Sequence, residues 1–253
     1  MRRLLSLTLL TAALLLTTAA CNPREEPETT LLIAAAASLE QVLERELIPR
    51  FESIHPGITV RGAYGGSYHL RTQIQHGLPA DLFFPASQAA MAGIDLYGEA
   101  LPLIENTLVL IAPRGGETVV TGFHDIQSAA HIAVGDPELV PAGRYAQAAF
   151  EDLGIWDDLR ERASFGTSVS AVLHWVAAGS AQVGVVYYSD ALAQADQVSI
   201  IATAPPGSHA PILYPIGLLR ASPNQAAARE FLEFLQSPEA RAILEAHGFT
   251  PHS

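Results

Sequence analysis

Apolar runs that fit buried strands alternate with helical patterns along almost the whole of this chain. Residues 30–37 read TLLIAAAA, which is typical of a buried parallel strand, and residues 38–54 follow with apolar side chains at helical spacing. The same order recurs as far as the last predicted helices, over 223–236 and 238–247. This alternation predicts an α/β fold with mainly parallel sheets. Ligands of such folds lie at the carboxyl ends of strands, where helices begin.

The clearest of these strand-to-helix connections is AVGDPELVPAGRYA, residues 133–146. It predicts a short strand, a turn and a helix that starts with Pro141, Ala142 and Gly143. Proline is favoured in a first helical turn, and the small residues beside it leave backbone N–H groups accessible. A helix N-terminus with such groups readily holds an anion. Ala142 is therefore a candidate anion ligand through its backbone N–H.

Three further helix starts and one strand end extend this candidate site. Ser38 and Ser67 each follow a predicted strand and precede a helix, and Ser38 also matches the first position of a capping box. Val169 begins another helix, where only its backbone N–H could act, and Tyr187 ends the strand predicted in residues 184–191. Each residue alone has a structural alternative, as an N-cap, a packed side chain or a rim tyrosine. Together they offer donors without formal charge, which is typical of a site for a fully ionised oxyanion.

The first 21 residues predict an export signal. Two arginines precede an apolar segment over residues 4–16, which is shorter than the about 20 residues of a membrane-spanning helix. Small residues then lead to Cys21, the single cysteine, which resembles a lipoprotein attachment site. Thr18 stands where leucine is usual, so ordinary cleavage after Ala20 is the alternative. Residues 22–29 predict a flexible tether, and the protein is expected in the periplasm or on the outer face of a membrane.

The acidic composition narrows the classes of partner. The net charge is −12 at pH 7, and removal of the two arginines of the signal takes it to −14. Such a chain is a poor partner for nucleic acid. An anionic ligand would be bound against the overall field, so local dipoles and hydrogen-bond donors must hold it.

Motifs of common enzymes are absent from the sequence. There is no Gly-x-Ser-x-Gly elbow, no His-Glu-x-x-His, and no phosphate-binding loop ending in Gly-Lys, because the chain contains no lysine. His69 is close to Ser67 in sequence, but on a helix it need not face that serine. Asp136, Glu138 and Asp190 are each expected to cap a turn or pair with Arg144 rather than to act as a base. We therefore expect a binding protein that is not an enzyme and has no cofactor.

Several motifs carry a resemblance to a known family. They are AAASL (35–39), Ser67 with LRTQI, GLPADLFFPAS (77–87), ENTLVLIAP, AVGDPELVPAGRYA, LGIWDDL, GVVYYSDA, Tyr214-Pro215 and HGFTP. On these motifs the chain resembles the periplasmic molybdate-binding proteins, the substrate-binding components of molybdate ABC transporters. The resemblance covers nearly all of residues 31–251.

The resemblance implies a two-lobed periplasmic-binding-protein fold of type II. Each lobe would be a mainly parallel sheet flanked by helices, with the ligand in the cleft between them. Lobe 1 would comprise residues 30–110 and 214–253, and lobe 2 residues 111–213. A monomer of this kind would capture molybdate, and tungstate with it, and deliver the anion to an ABC transporter permease. The molybdenum would be held through its oxygens by Ser38, Ser67, Ala142, Val169 and Tyr187.

The chain departs from the family pattern beside Ser67. Gly65 and Gly66 stand where many relatives carry alanine or serine, Tyr68 and His69 are bulkier than usual, and Pro85 is atypical after its strand. These changes lie at the rim of the first lobe and leave the five ligand positions intact.

Two alternatives to molybdate binding remain open at the level of sequence. A binding protein for sulfate or another tetrahedral oxyanion would use the same donors, and only cavity size would exclude sulfate. A secreted serine hydrolase that uses Ser38 or Ser67 would need a histidine or another base beside the serine.

Overall fold

The computed structural model describes residues 29–252 as two α/β lobes, each built on one sheet with helices packed against it. The predicted export signal, Cys21 and residues 22–28 of the predicted tether lie outside the described residues. Thr29, the last residue assigned to the tether, is the first residue of a strand. Within the described range, no helix has the length and apolarity needed to cross a membrane.

The strands of the described residues are β1 (Thr29–Ala36), β2 (Ile58–Gly65), β3 (Leu82–Phe84), β4 (Leu101–Asn106), β5 (Leu108–Pro113), β6 (Ile132–Gly135), β7 (Ala163–Gly166), β8 (Val183–Tyr187), β9 (Val198–Thr203), β10 (Ile212–Leu218) and β11 (Thr250–Pro251). The α-helices are α1 (Glu40–Val42), α2 (Ile48–Ile54), α3 (Ser67–Gln75), α4 (Gln88–Met91), α5 (Pro141–Asp152), α6 (Trp156–Arg160), α7 (Val169–Ala177), α8 (Tyr188–Ala193), α9 (Gln225–Leu235) and α10 (Pro238–Ala246). A further helical segment, Phe123–Ser128, is of the 3₁₀ type.

The sheet of the first lobe has the strand order β11-β4-β10-β3-β1-β2. Strand β1 runs parallel to β2 and β3, whereas β10 runs antiparallel to β3 and β4. The sheet is therefore mixed, which corrects the prediction of a mainly parallel one. The reason is that β10 returns from the second lobe and pairs in the antiparallel direction with both β3 and β4.

The sheet of the second lobe has the order β7-β6-β8-β5-β9 and is also mixed. Strand β6 runs parallel to β7 and β8, whereas β5 runs antiparallel to β8 and β9. Strand β5 enters this lobe directly from β4 of the first lobe, which gives it the opposite direction. The predicted α/β class and two-lobed arrangement are confirmed, but the parallel pairs occupy only part of each sheet.

The sheets show where the chain passes from one lobe to the other. Strand β5 pairs wholly within the second sheet, and β10 pairs wholly within the first. The limits drawn from the sequence, after residue 110 and before residue 214, therefore cut through both strands. By sheet membership the chain crosses at Thr107 and again between residues 203 and 212.

The helical segment after β1 is continuous but changes type along its length. Ala37–Leu39 is a 3₁₀-helix and Leu43–Leu47 is a π-helix, with α1 between them and α2 after them. The predicted apolar face is confirmed, because side chains such as Leu43 and Phe51 are fully buried. The predicted capping box is wrong. Ser38 lies inside the first helical turn, and the residue at the N-cap makes no side-chain hydrogen bond.

Candidate functional site

The two lobes enclose a small cavity at the carboxyl end of β1 and at the starts of three longer helices. Its lining residues are Ala36, Ala37, Ser38, Gly65, Gly66, Ser67 and Ala86 from the first lobe, and Val140, Pro141, Val169 and Tyr187 from the second. The cavity is small, because the positions open to the centre of a water molecule fill only about 10 Å³. Such a void suits one small ion and excludes ligands that need pockets of roughly 300 Å³ or more.

Four of the five predicted ligand residues line this cavity, namely Ser38, Ser67, Val169 and Tyr187. The fifth, Ala142, is the second residue of α5 and directly follows the lining residue Pro141. Because proline has no N–H, Ala142 carries the first backbone N–H of this helix. Residues from distant parts of the chain are thus gathered at one place.

Helices α3, α5 and α7 all begin at the cavity. They contain 9, 12 and 9 residues. The residues that precede α3 and α5, Gly66 and Val140, provide no side-chain cap for the first N–H groups. Before α7, Ser168 caps the N–H of Ala171 at 3.2 Å rather than that of Val169. Three positive helix ends therefore meet at one small space, which favours an anion there.

Both cavity serines are held by hydrogen bonds to the protein. The Oγ of Ser67, the first residue of α3, accepts the backbone N–H of Ala86 at 3.0 Å. The Oγ of Ser38 lies 3.0 Å from the Oη of Tyr214. Both serines are buried. Because the Oγ of Ser67 accepts the N–H of Ala86, the hydroxyl proton of Ser67 is left to donate to another acceptor.

The hydroxyl of Tyr187 is the unpaired polar group of the cavity. Its oxygen is buried and has no hydrogen-bond partner within the part of the chain that the structure describes. An unpaired buried hydroxyl costs about 1–3 kcal/mol, and a ligand oxygen that accepts the proton would remove this cost. Burial raises the pKa of Tyr187 well above its usual value, so the proton stays available for donation.

The strand predicted in residues 184–191, with Tyr187 at its end, does end there: β8 stops at Tyr187, and the rest of the segment belongs to helix α8, which begins at Tyr188. The cause is local, because the carboxylate of Asp190 accepts the backbone N–H of Tyr187 at 3.2 Å. This contact bends the chain into a helix and confirms the predicted capping role of Asp190.

Charged side chains lie near the cavity but do not line it. None of the described lining residues is charged, but Asp190 is buried next to Tyr187, and this burial raises the pKa of Asp190 to about 7. Asp136 caps a turn, as predicted, because its Oδ1 accepts the N–H of Glu138 at 2.9 Å. Arg144 pairs with neither carboxylate. Its guanidinium instead lies 4.4 Å from the centre of the Tyr68 ring.

The lobes touch each other beside the cavity, around Gly66 and Tyr68 of the first lobe. The N–H of Tyr68 donates to the carbonyl of Leu139 at 3.2 Å. A Cβ on Gly66 would lie 2.6 Å from the oxygen of Leu139 and 2.8 Å from that of Thr167. Glycine is therefore required here by the close approach of the second lobe. The structure shows the cleft closed, and the departure from the family pattern at Gly66 coincides with this contact.

Three polar residues behind Ser38 were missed by the sequence analysis. The Oη of Tyr214, besides its contact with Ser38, accepts the Nδ2 of Asn106 at 3.3 Å, and the same nitrogen donates to Ser189 Oγ at 2.8 Å. Tyr214 and Asn106 fall within the family motifs but sit in apolar strands. A polar residue that interrupts an apolar strand was the available signal. Only the pairing of β10 with β4 brings the two side chains together.

Neither serine has the partner that nucleophilic catalysis needs. The Nε2 of His69 lies 3.0 Å from the Nε2 of Gln73, on the exposed side of α3. The hydrogen bonds of Ser38 and Ser67 lead to Tyr214 and Ala86. Among residues 29–252, no three His, Cys, Asp or Glu side chains come together as a site for a metal ion.

Comparisons with known proteins agree on one family. The sequence model for the bacterial extracellular solute-binding proteins matches residues 31–250. YvgL of Bacillus subtilis (strain 168), whose name describes an ABC transporter substrate-binding lipoprotein, is 36% identical over 219 residues, 85% of this chain and 84% of its own length. The molybdate-binding protein ModA of Escherichia coli (strain K12) is 35% identical over 206 residues, 77% of this chain and 79% of its own. The solved periplasmic molybdate-binding protein of Azotobacter vinelandii matches with a TM-score of 0.74 and 25% identity, over 88% of this chain and 100% of that one.

Proposed function

Because the chain belongs to the bacterial extracellular solute-binding protein family, we propose that it captures molybdate outside the cytoplasmic membrane and delivers it to an ABC transporter. Relatives named for molybdate binding support this ligand. The observation that carries the ligand class is the Tyr187 hydroxyl, a buried donor without a protein acceptor in the described residues. The cavity has room for one small ion, so larger ligands are excluded.

In the proposed complex the protein supplies donors and the anion supplies acceptors. The oxygens of molybdate accept the hydroxyls of Ser38, Ser67 and Tyr187 and the backbone N–H groups of Ala142 and Val169. The backbone N–H groups of the two serines add to this set, and the molybdenum is held only through its oxygens. A hydrogen bond to a charged acceptor contributes roughly 1.5–3 kcal/mol, so five such bonds support tight binding. Donors come from both lobes, so binding is coupled to a hinge closure.

Donor-only chemistry also determines which anions are rejected. Hydrogen phosphate carries a proton that would meet no acceptor in the cavity, at a cost of about 1–3 kcal/mol. Sulfate is fully ionised but smaller than molybdate, so its bonds to donors on opposite walls would be longer and weaker. Tungstate has the charge and shape of molybdate, and we propose that it binds as well.

Titration calorimetry with four anions tests this proposal. We expect molybdate and tungstate to bind tightly and with a stoichiometry of one, and sulfate and phosphate to bind more weakly or not at all. Tight binding of sulfate with no heat from molybdate would favour the alternative of a sulfate-binding protein. Turnover of an ester substrate would favour a hydrolase, although the hydrogen-bond partners of Ser38 and Ser67 argue against that reaction.

We further propose that the exported protein is anchored by a lipid on Cys21 and acts as a monomer. The lipoprotein name of the Bacillus subtilis relative supports the anchor. With Cys21→Ser we expect the protein to move from the membrane fraction to the soluble extracytoplasmic fraction, because the attachment sulfur is lost. An unchanged distribution between the two fractions would show that this cysteine carries no anchor.

A further inference from the structure

A series of hydrogen-bonded side chains that are not part of the cavity lining leads to Ser38. It consists of Asn106, at the end of β4, and Tyr214, in β10. We propose that these two are positioning residues, which force the Ser38 hydroxyl to act as a donor toward the bound anion and so help the site to reject protonated oxyanions. This inference rests on the proposed function for its ligand.

The orientation of the Asn106 amide determines which group donates and which accepts in each of these hydrogen bonds. The backbone N–H of Thr107 donates to Asn106 Oδ1 at 2.8 Å, which identifies that atom as the oxygen. The Nδ2 therefore points the other way. It has two protons, and it lies 2.8 Å from the Oγ of Ser189 and 3.3 Å from the Oη of Tyr214. An amide nitrogen can only donate, so Tyr214 must accept from Asn106.

Each residue in this series donates a hydrogen bond to the next, from Asn106 to Tyr214 and from Tyr214 to Ser38. A phenol has a single proton, and with its oxygen accepting from Asn106 that proton is left for the Oγ of Ser38, 3.0 Å away. Tyr214 is fully buried. This burial raises the pKa of Tyr214 well above its usual value, so the phenol keeps the proton that it donates.

At Ser38 the hydroxyl oxygen thus receives a proton and must send its own proton elsewhere. Ser38 also lines the cavity, where a bound anion would offer an acceptor. A serine without such a partner can rotate and accept a proton from a ligand as easily as it donates one. Ser67 is held in the same sense by a different donor, the backbone N–H of Ala86. Both serines are therefore turned into donors, one through side chains and one through the backbone.

A double-mutant cycle tests whether Tyr214 acts through Ser38. Molybdate affinity is measured by titration calorimetry for wild type, Tyr214→Phe, Ser38→Ala and the double variant. We expect Tyr214→Phe to weaken binding about tenfold in the wild-type background and less than about twofold in the Ser38→Ala background. Tyr97→Phe, at an exposed ring, is the matched control and should leave the affinity unchanged.

The selectivity for molybdate over phosphate gives a second readout, which would not change if Tyr214 were merely structural. Tyr214→Phe should narrow the ratio of molybdate to phosphate affinity, because a rotating Ser38 hydroxyl can accept the proton of hydrogen phosphate. Asn106→Leu, which has a similar side-chain volume, should act in the same direction. Thermal unfolding without ligand establishes that each variant is folded.

The outcomes separate this inference from the proposed function. If Tyr214→Phe weakens binding equally in both backgrounds, or leaves the ratio of molybdate to phosphate affinity unchanged, Tyr214 does not position Ser38. Molybdate binding by the wild type would still stand. If the wild type binds sulfate but not molybdate, the proposed ligand is wrong. The same double-mutant cycle measured with sulfate then shows whether Tyr214 acts through Ser38. If the wild type binds no tetrahedral oxyanion, both are wrong.

Discussion

At the scale of single residues, Tyr187 most clearly combines a feature that is unfavourable in the ligand-free protein with a proposed role in binding. Its hydroxyl is buried without a partner in the described residues, which costs stability until a ligand oxygen accepts the proton. Removal of the hydroxyl should therefore separate affinity from stability.

We expect Tyr187→Phe to weaken molybdate binding by about ten- to a hundredfold, the equivalent of about 1.5–3 kcal/mol. The free energy of unfolding without ligand should stay equal or rise, because no protein hydrogen bond is lost. Calorimetry and urea denaturation measure the two quantities. An affinity equal to that of wild type would remove Tyr187 from the proposed ligand set.

Asp190 predicts a dependence of stability on pH. Burial raises its pKa to about 7 in the folded protein, whereas an aspartate in an unfolded chain ionises near pH 4. Between these values the folded state binds more protons than the unfolded state, so this carboxyl group lowers the free energy of unfolding as pH rises from about 4 to 7. Asp190→Asn keeps an acceptor for the N–H of Tyr187 and removes the charge.

The variant Asp190→Asn should therefore gain stability relative to wild type as pH rises through this window, and the difference should level off above about pH 7. Urea denaturation of both proteins at several pH values measures it, and the other titrating groups cancel in the difference. Two parallel curves across the window would mean that Asp190 ionises at its ordinary pKa.

At the scale of elements, the start of α5 shows how a helix end can be brought to a cavity. Its third residue, Gly143, packs against the backbone of β6, and a Cβ there would lie 2.0 Å from the oxygen of Gly135. This contact fixes the height of the helix relative to the strand, and with it the position of the Ala142 N–H. The small residues of the motif therefore serve packing as well as access for an anion.

Gly143→Ala should lower the free energy of unfolding by about 3 kcal/mol, because the added methyl meets backbone that cannot yield without moving the helix. Gly57→Ala is the matched control, since a Cβ at Gly57 meets nothing within 4 Å. Urea denaturation compares the two variants. Equal stability of the two would contradict the tight packing of α5 on β6.

At the scale of the whole molecule, the lobes meet in a closed cleft beside the cavity. The contact is made by backbone at Gly66 and Leu139 and by the guanidinium of Arg144 over the ring of Tyr68. The bulky Tyr68 thus lies between the lobes and helps to hold them together. The closed arrangement brings residues of both lobes together around one small cavity.

Gly66→Ala should hinder this closure, because its Cβ would lie 2.6 and 2.8 Å from two carbonyl oxygens of the second lobe. We expect molybdate affinity to fall at least tenfold while each lobe keeps its fold, since the clash is relieved by opening the cleft. Calorimetry and small-angle scattering with and without ligand measure affinity and closure, again with Gly57→Ala as the control. Compaction on ligand addition like that of wild type would contradict the clash.

Much of the architecture could be predicted from the sequence because its signals are local. Apolar runs, helical spacing and glycine or proline breaks placed the starts of α3, α5 and α7 within one residue. The four predicted ligand residues that line the cavity were chosen from the same kind of local signal, the order of residues around helix starts and one strand end. These properties are determined by the sequence itself.

What only the tertiary structure decided depends on contacts between distant residues. The mixed sheets follow from the two crossings, and the role that we propose for Ser38 depends on Tyr214, 176 positions away. The requirement for glycine at Gly66 follows from the carbonyl of Leu139 in the other lobe. Burial, hydroxyl direction and close approach depend on atoms that are neighbours only after folding, so no local pattern encodes them.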